Sequence, residues 1–211
     1  MAQKQSSQGL IKPRWYDGPL YGWFFDPLER EKEKIVSSFV TPGARVLDAP
    51  SGTGALCFAL AAAAKEVVGV DASPRMLAFA QKRKAALAAD NVSFVAGDMT
   101  ALPKSLKGPF DFGIISLFLH EVSEPLRVAA LTGVASLCKK VVICDYAAPP
   151  PFLPGLFNTA VEYVIGGPGN FPFYRDFLER GGACGLADRC GLEVLERRTD
   201  RSGGREYCLL A

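Results

Sequence analysis

The sequence predicts an α/β fold in which helices cover both faces of a seven-stranded, mostly parallel sheet. Two observations support this prediction. From residue 42 onward, short runs rich in Val, Ile and Phe alternate with stretches of helix-forming composition, and such repetition is typical of parallel strands joined by right-handed crossovers. The last two runs flank a turn that contains Gly and Ser. That pattern predicts a C-terminal antiparallel hairpin, and therefore one reversed strand.

The predicted elements follow in chain order. Five buried strands are expected at Ala44–Ala49, Glu66–Asp71, Val92–Asp98, Phe110–Phe118 and Lys140–Tyr146. Helices are expected between them at Gly54–Lys65, Pro74–Ala89 and Glu124–Leu137. The hairpin pairs Glu193–Thr199 with Arg205–Leu210 around the turn Asp200–Gly204.

The chain has 211 residues, of which 49% are hydrophobic, and this suits one domain over residues 1–211. Two segments lie outside its predicted core: an aromatic N-terminal arm at residues 14–40 and an apolar insertion at residues 149–174. The insertion holds six prolines, six aromatic residues and one charged residue, Glu162. A segment this apolar is expected to cover something, as a lid over an acceptor, as a dimer contact or as part of the core.

Charge and hydropathy exclude several classes of protein. Lys and Arg number 24 and Asp and Glu 22, without the concentrated basic footprint of a nucleic-acid binder. The longest apolar stretch, Ala55–Ala64, is shorter than the ~18 residues of a membrane span. The polar N-terminus lacks the core of a secretory signal. We therefore expect a cytoplasmic protein with at most a transient membrane-surface contact, and the oligomeric state stays open.

Two further patterns favour ordinary structural roles. The mixed run Glu29–Lys34 is expected to be a solvated helix face with i,i+4 charge pairs. The six cysteines form no C-x-x-C pair. We therefore expect reduced, mostly buried thiols, with neither a metal site nor disulfides.

The turn after the first strand is the most unusual feature. It begins at Asp48, continues as APSGTG and leads into a helix, where backbone N–H groups can hold a carboxylate or phosphate. An NAD-binding turn would instead have the pattern G-x-G-x-x-G. An acid at the entrance repels a pyrophosphate and attracts an ammonium group. Together with Asp71 and Asp98, which end the next two strands, this favours an amino-acid nucleoside as ligand. Each acid alone is also a common turn or cap residue.

Five blocks of the sequence resemble the class I S-adenosylmethionine-dependent methyltransferases: VLDAPSGTG, VVGVDASPRML, VSFVAGDMTALP, FDFGIISLFLHEV and GLADRCGLEV. Within that family the chain is most similar to the ubiquinone and menaquinone biosynthesis methyltransferases and the phosphatidylethanolamine N-methyltransferase-like group, whose arm motif resembles YGWFFDPLERE. The resemblance implies a Rossmann-like fold and S-adenosylmethionine as cofactor.

The resemblance also implies roles for individual residues. Asp48 would approach the methionine amino group, while Ala49, Ser51 and Gly52 would supply backbone contacts. The remaining cofactor-binding residues would be Tyr21 at the carboxylate, Asp71, Ala72 and Met76 at the ribose and nucleoside, Asp98 and Met99 at the adenine, and Ser116 and Leu117 under the sulfonium. Pro50 departs from the family, because it replaces the first glycine of the turn and has no N–H to donate.

Methyl transfer from a sulfonium depends mainly on proximity and orientation. A base is required only when the acceptor must lose a proton, and His120 is the catalytic candidate for that role. A lone histidine is more often a helix-cap or hydrogen-bonded structural group than a catalytic one. Glu121, Asp145 and Tyr146 are further, weaker candidates. The acceptor is expected to be a small, partly apolar molecule such as a quinone precursor or a lipid. The alternatives are a nicotinamide-dependent oxidoreductase and a noncatalytic S-adenosylmethionine-binding module.

Overall fold

The computed structural model describes residues 18–24 and 26–211. Seven strands form one sheet in the order β3-β2-β1-β4-β5-β7-β6. Their bounds are β1 Arg45–Asp48, β2 Glu66–Asp71, β3 Val92–Ala96, β4 Phe110–Ser116, β5 Cys138–Tyr146, β6 Val194–Thr199 and β7 Arg205–Leu210. The predicted α/β class with seven strands is confirmed.

Eight α-helices of the described residues surround the sheet. They are α1 Pro19–Phe24, α2 Arg30–Phe39, α3 Ala55–Ala61, α4 Pro74–Leu87, α5 Glu124–Ala135, α6 Phe152–Val161, α7 Phe171–Glu179 and α8 Gly182–Arg189. Short 3-10 turns span Asp26–Glu29 and Leu119–Glu121, and a π-helical turn spans Glu162–Gly166. In the part of the chain that the structure describes, no helix has the length and apolar character to cross a membrane.

Strands β1 to β5 pair in parallel, and β7 runs antiparallel to both β5 and β6. The predicted hairpin is therefore confirmed, and its reversed strand lies inside the sheet, between β5 and β6. The order of the strands reverses between β1 and β4. In open parallel sheets, ligands bind beyond the carboxyl ends of the strands at such a switch point.

Alternating side chains of each central strand enter two apolar layers, as the period of two in a strand requires. One layer contains Leu47 and Ile115 and is covered by α5, α7 and α8. The other contains Val46 and Ile114 and is covered by α2 and α3. Helices thus cover both faces of the sheet, and all four side chains are fully buried.

Several predicted elements are shorter in the structure. Strand β3 ends at Ala96, so Asp98 and Met99 lie in the following turn, where Asp98 forms an isolated bridge with Ala101. Strand β4 ends at Ser116, and Phe118 is outside it. The residues at these ends, Gly97–Asp98 and Leu117–Phe118, did not distinguish a strand from the turn that follows it.

Candidate cofactor pocket

A pocket opens at the carboxyl ends of β1, β2 and β4, at the predicted switch point. Ten of the residues implied for the cofactor line it: Asp48, Ser51, Gly52, Asp71, Ala72, Met76, Asp98, Met99, Ser116 and Leu117. Ala49 is completely buried beneath the turn and His120 lies behind the wall, so neither belongs to this lining. Tyr21 lies in α1, and its side chain is outside the described residues.

Asp48 supplies a buried carboxylate at the bottom of the pocket. Its Oδ2 accepts a hydrogen bond from the thiol of Cys57 at 3.2 Å, whereas Oδ1 has no partner among the described residues. Burial raises the pKa of Asp48 to about 7. The hydroxyl of Ser51 is also buried without a partner in this part of the chain. Buried polar groups are normally satisfied, and these two therefore point to a polar ligand.

The N–H groups of the turn between β1 and α3 fix it to the neighbouring strands by hydrogen bonds. Ala49 N donates to Ile114 O at 3.0 Å, and Ser51 N donates to Val70 O at 2.8 Å. Gly52 N donates to Asp71 Oδ2 at 2.7 Å. These groups are already engaged inside the protein, so side-chain atoms such as Ser51 Oγ are better placed to contact a ligand.

The N-terminal arm is joined to this turn through Asp26. The hydroxyl of Thr53 donates to Asp26 at 2.9 Å, and Arg83 of α4 pairs with the same carboxylate at 2.6 Å. Gly18 N also donates to the sulfur of Met76 at 3.3 Å. The arm therefore forms one wall of the pocket. Trp23, in contrast, is 70% exposed and does not pack into the core.

The pocket is strongly acidic. Six carboxylates belong to its lining: Asp26, Glu29, Asp48, Asp71, Asp98 and Glu121. Among the described lining residues, Lys32 is the one cation, and its side chain is 11% exposed beside Glu29 at 3.3 Å. The prediction of a solvated helix face at Glu29–Lys34 is wrong at Glu29, which is only 6% exposed. Such a lining favours a ligand with more positive than negative charge.

The remaining walls come from the turns after β3 and β4. Asp98 accepts hydrogen bonds from the N–H and the hydroxyl of Thr100, both at 2.8 Å, which orients its carboxylate. Leu117 has a φ of +50°, an uncommon conformation for a residue with a Cβ. Its N–H donates to Cys144 O at 2.8 Å. Backbone strain of this kind is concentrated at functional sites.

His120 lies behind the pocket in a buried polar cluster. Its Nδ1 is 2.6 Å from Asp145 Oδ1, and its Nε2 is 3.6 Å from Glu162 and 3.9 Å from Glu121. Burial would lower the pKa of His120, but the three carboxylates raise it to about 9. Tyr146 donates its hydroxyl to Glu162 at 2.7 Å. Of these groups, Glu121 belongs to the pocket lining.

The apolar insertion is folded as α6, the π-helical turn and the start of α7. Its aromatic side chains are not gathered over the pocket: Phe152, Phe157 and Tyr163 are 85%, 68% and 58% exposed, and Tyr174 is buried beside His120. Asn170 is the residue of this insertion that lines the pocket among those described.

The thiols of Cys184 and Cys208 lie 3.2 Å apart with the carboxylate of Glu206 nearby. All six cysteines are free thiols. The pair joins α8 to β7. Because its two cysteines are 24 residues apart in the sequence, their spacing gave no sign of it. Glu206 is paired with Arg197 at 2.6 Å.

The family model of a methyltransferase domain matches residues 40–148. The demethylmenaquinone methyltransferase of Renibacterium salmoninarum is 36% identical over 126 residues, which are 59% of this chain and 49% of that protein. The enzyme of the same name from Clavibacter sepedonicus is 38% identical over 109 residues, 51% of this chain and 43% of that protein. The chain thus spans about half the length of these curated relatives.

Among solved structures, a magnesium protoporphyrin IX methyltransferase from Synechocystis with bound SAH superposes with a TM-score of 0.64. It is 20% identical and covers 87% of this chain and 83% of that chain. At this identity the likeness concerns the fold alone. It agrees with the strand order and with helices on both faces.

Proposed function

Because this chain belongs to the class I S-adenosylmethionine-dependent methyltransferase family, we propose that it transfers a methyl group from S-adenosylmethionine to a quinone precursor. The observation that carries the proposal is the acidic pocket at the switch point, with Oδ1 of Asp48 at its bottom and without a partner among the described residues. The nicotinamide alternative fits poorly, because a pyrophosphate would meet six carboxylates and one ammonium group in this lining.

The lining fits the parts of S-adenosylmethionine in order. Asp48 would accept the methionine ammonium group, and Lys32 would pair with the methionine carboxylate. Asp71 would accept the ribose hydroxyls at the end of β2. The adenine would lie between Met76, Asp98 and Met99. The acidic residues around the pocket favour the positive charge of the sulfonium.

The acceptor follows from the relatives. Demethylmenaquinone, after which they are named, is a naphthoquinone without one ring methyl group. Its reduced form has a ring carbon made nucleophilic by a neighbouring hydroxyl. Such a ring is small and apolar, in keeping with the apolar walls that Leu117, Phe118 and Val122 add beside the acidic residues.

When bound, S-adenosylmethionine supplies a methyl group on a positively charged sulfur. This chain would orient the acceptor against that methyl group, which supplies much of the rate by proximity. Ser116 and Leu117, at the end of β4, would hold the reacting face. Carbon methylation also releases one proton from the acceptor, so a nearby group has to take it.

Transfer of labelled methyl from S-adenosylmethionine to reduced 1,4-naphthoquinone tests the proposal. We expect label on the ring carbon of the product. Label on an oxygen would support S-adenosylmethionine as the methyl donor but show that the acceptor atom is not the ring carbon. Binding of S-adenosylmethionine with no transfer to this ring, to a phospholipid amine or to a cell extract would favour the noncatalytic binding module.

Several sequence predictions stay predictions. They are the single domain over residues 1–211, the lid role of residues 149–174, the roles of the individual site residues, the cytoplasmic location and the transient membrane-surface contact. The pocket-lining Asn170 supports the lid role, because it joins this segment to the pocket wall.

A further inference from the structure

We infer that Glu121, His120 and Glu162 form a proton relay that leads from the pocket to the surface of the apolar insertion. The inference rests on the proposed carbon methylation, which releases one proton for each methyl group transferred. It goes further by naming the route that this proton takes. Glu121 stands on the pocket wall, His120 lies behind it, and Glu162 belongs to the π-helical turn.

The imidazole of His120 is oriented for such a relay. Asp145 holds Nδ1 at 2.6 Å and is itself fixed by the N–H groups of Leu119 and Tyr146, at 2.9 and 2.8 Å. Nε2 is therefore directed at the two glutamates, 3.9 Å from Glu121 and 3.6 Å from Glu162. Both distances are longer than a direct hydrogen bond. A bridging water could connect Nε2 to each carboxylate, or substrate binding could bring the side chains into hydrogen-bond distance.

Glu162 is suited to be the exit of the relay. It is the one charged residue of the insertion at 149–174, and it is 9% exposed next to the exposed Tyr163. The hydroxyl of Tyr146 donates to its Oε1 at 2.7 Å. Burying a charged group in so apolar a segment is costly unless it is paired and hydrogen-bonded, and Tyr146 and the imidazole of His120 are the partners of Glu162.

The charges around His120 agree with this route. The groups that face the imidazole are Asp145 and Tyr146 from β5, Glu121 from its own turn, Glu162 from the π-helical turn and Tyr174 from α7. The carboxylates raise the pKa of His120 to about 9, so at neutral pH the ring is a cation. It can give its Nε2 proton to Glu162 and take the next one from Glu121.

The acceptor hydroxyl loses its proton to Glu121, and the electron pair freed on oxygen makes the neighbouring ring carbon nucleophilic. That carbon forms a bond to the methyl group as the S–CH₃ bond breaks, and the bonding pair stays on sulfur. Loss of the ring proton with reprotonation of the oxygen restores the hydroquinone. One proton in total leaves through His120 and Glu162 to solvent.

The test measures kcat and KM of Glu121→Gln and Glu162→Gln for methyl transfer to reduced 1,4-naphthoquinone. We expect each variant to lose about tenfold or more in kcat. The KM for S-adenosylmethionine should stay unchanged in Glu162→Gln, because Glu162 lies outside the pocket lining. Glu162→Asp should restore part of the loss, and the acidic limb of the kcat profile against pH should disappear in Glu121→Gln. The control is Glu179→Gln on α7, whose carboxylate is 65% exposed.

Glutamine at position 162 keeps the acceptor oxygen for Tyr146, so this variant is expected to fold even if His120 variants do not. A kcat within about twofold of wild type in both Gln variants would overturn the relay while leaving the methyltransferase function intact. If wild type itself transfers no methyl to the ring carbon, the proposed function fails, and the relay fails with it.

Discussion

The N–H of Gly52 donates to Oδ2 of Asp71 at 2.7 Å, so a side chain at the end of β2 fixes the turn that follows β1. The other oxygen of Asp71 accepts from Ser73 N at 2.8 Å, at the start of α4. One carboxylate therefore links the β1 turn, β2 and α4 at the mouth of the pocket. In the proposed complex the same carboxylate would shape the pocket and accept the ribose hydroxyls.

Replacing Asp71 with Ala should weaken the binding of S-adenosylmethionine about tenfold or more. Hydrogen bonds to a charged group contribute about 1.5 to 3 kcal/mol each, and the Gly52 contact is lost as well. Calorimetry measures the dissociation constant. The control is Asp188→Asn on the exposed side of α8. An unchanged constant in a folded Asp71→Ala protein would remove this residue from the binding site.

Lys32 should recognise the carboxylate of the methionine moiety. Lys32→Met is expected to weaken the binding of S-adenosylhomocysteine by about tenfold, because the substitution removes the one cation of the described lining. The binding of methylthioadenosine, which has no amino-acid carboxylate, should change little. Lys34→Met is the matched control, since Lys34 is an exposed residue of the same helix. Equal weakening of both ligands would show that Lys32 shapes the pocket without contacting the carboxylate.

Asp48 should make both stability and binding depend on pH. Burial raises its pKa from 3.8 to about 7, so between these values the folded state holds a proton that the unfolded state has released. The free energy of unfolding should therefore fall as pH rises through this window, by up to about 1.4 kcal/mol per unit relative to Asp48→Asn. Denaturant titrations at several pH values measure this difference. The prediction would be contradicted if the free energy of unfolding changed with pH in the same way in both proteins.

The same carboxyl group must be ionised to receive an ammonium group. Affinity for S-adenosylmethionine should therefore decrease below pH 7, by up to about tenfold per unit. Calorimetry in buffers of different ionisation enthalpy measures how many protons are taken up or released on binding, and this number checks the prediction. In Asp48→Asn the affinity should be lower and should lose this dependence on pH.

Arg127 should be the main anchor of α7. Its fully buried side chain donates to Leu119 O at 2.8 Å and to Phe173 O at 2.6 Å, and it pairs with Asp176 at 2.6 Å. Arg127→Met should lower the free energy of unfolding by about 2 kcal/mol or more, because buried carbonyl groups lose their donor. Arg175→Met is the control. Its pair with Glu179 is exposed, and thermal unfolding should show almost no change.

Local patterns were enough to predict the sheet and most of the pocket. Runs such as Glu66–Asp71 coincide with a strand because both faces of the central sheet are buried, which leaves a nearly continuous apolar signal. Acidic residues that end neighbouring parallel strands must meet at one edge, so Asp48 and Asp71 were predictable from topology alone.

What the sequence did not predict depends on contacts between distant segments. Glu29 and Lys32 resemble any charged helix face, and the burial of Glu29 accompanies its pair with the distant Arg205 of β7 at 2.9 Å. Glu162 was visible as a lone charge in an apolar segment. Its place beside His120, however, depends on how the insertion folds back on β5. Local propensity carries no information about such contacts.

The most direct test of the central claim is the transfer of methyl-labelled S-adenosylmethionine by the purified chain to reduced 1,4-naphthoquinone, followed by mass spectrometry of the organic phase. The predicted result is a product heavier by one labelled methyl group on the ring carbon, formed together with S-adenosylhomocysteine and abolished by boiling the protein. Binding of NAD in preference to S-adenosylmethionine, with no labelled product, would contradict the claim.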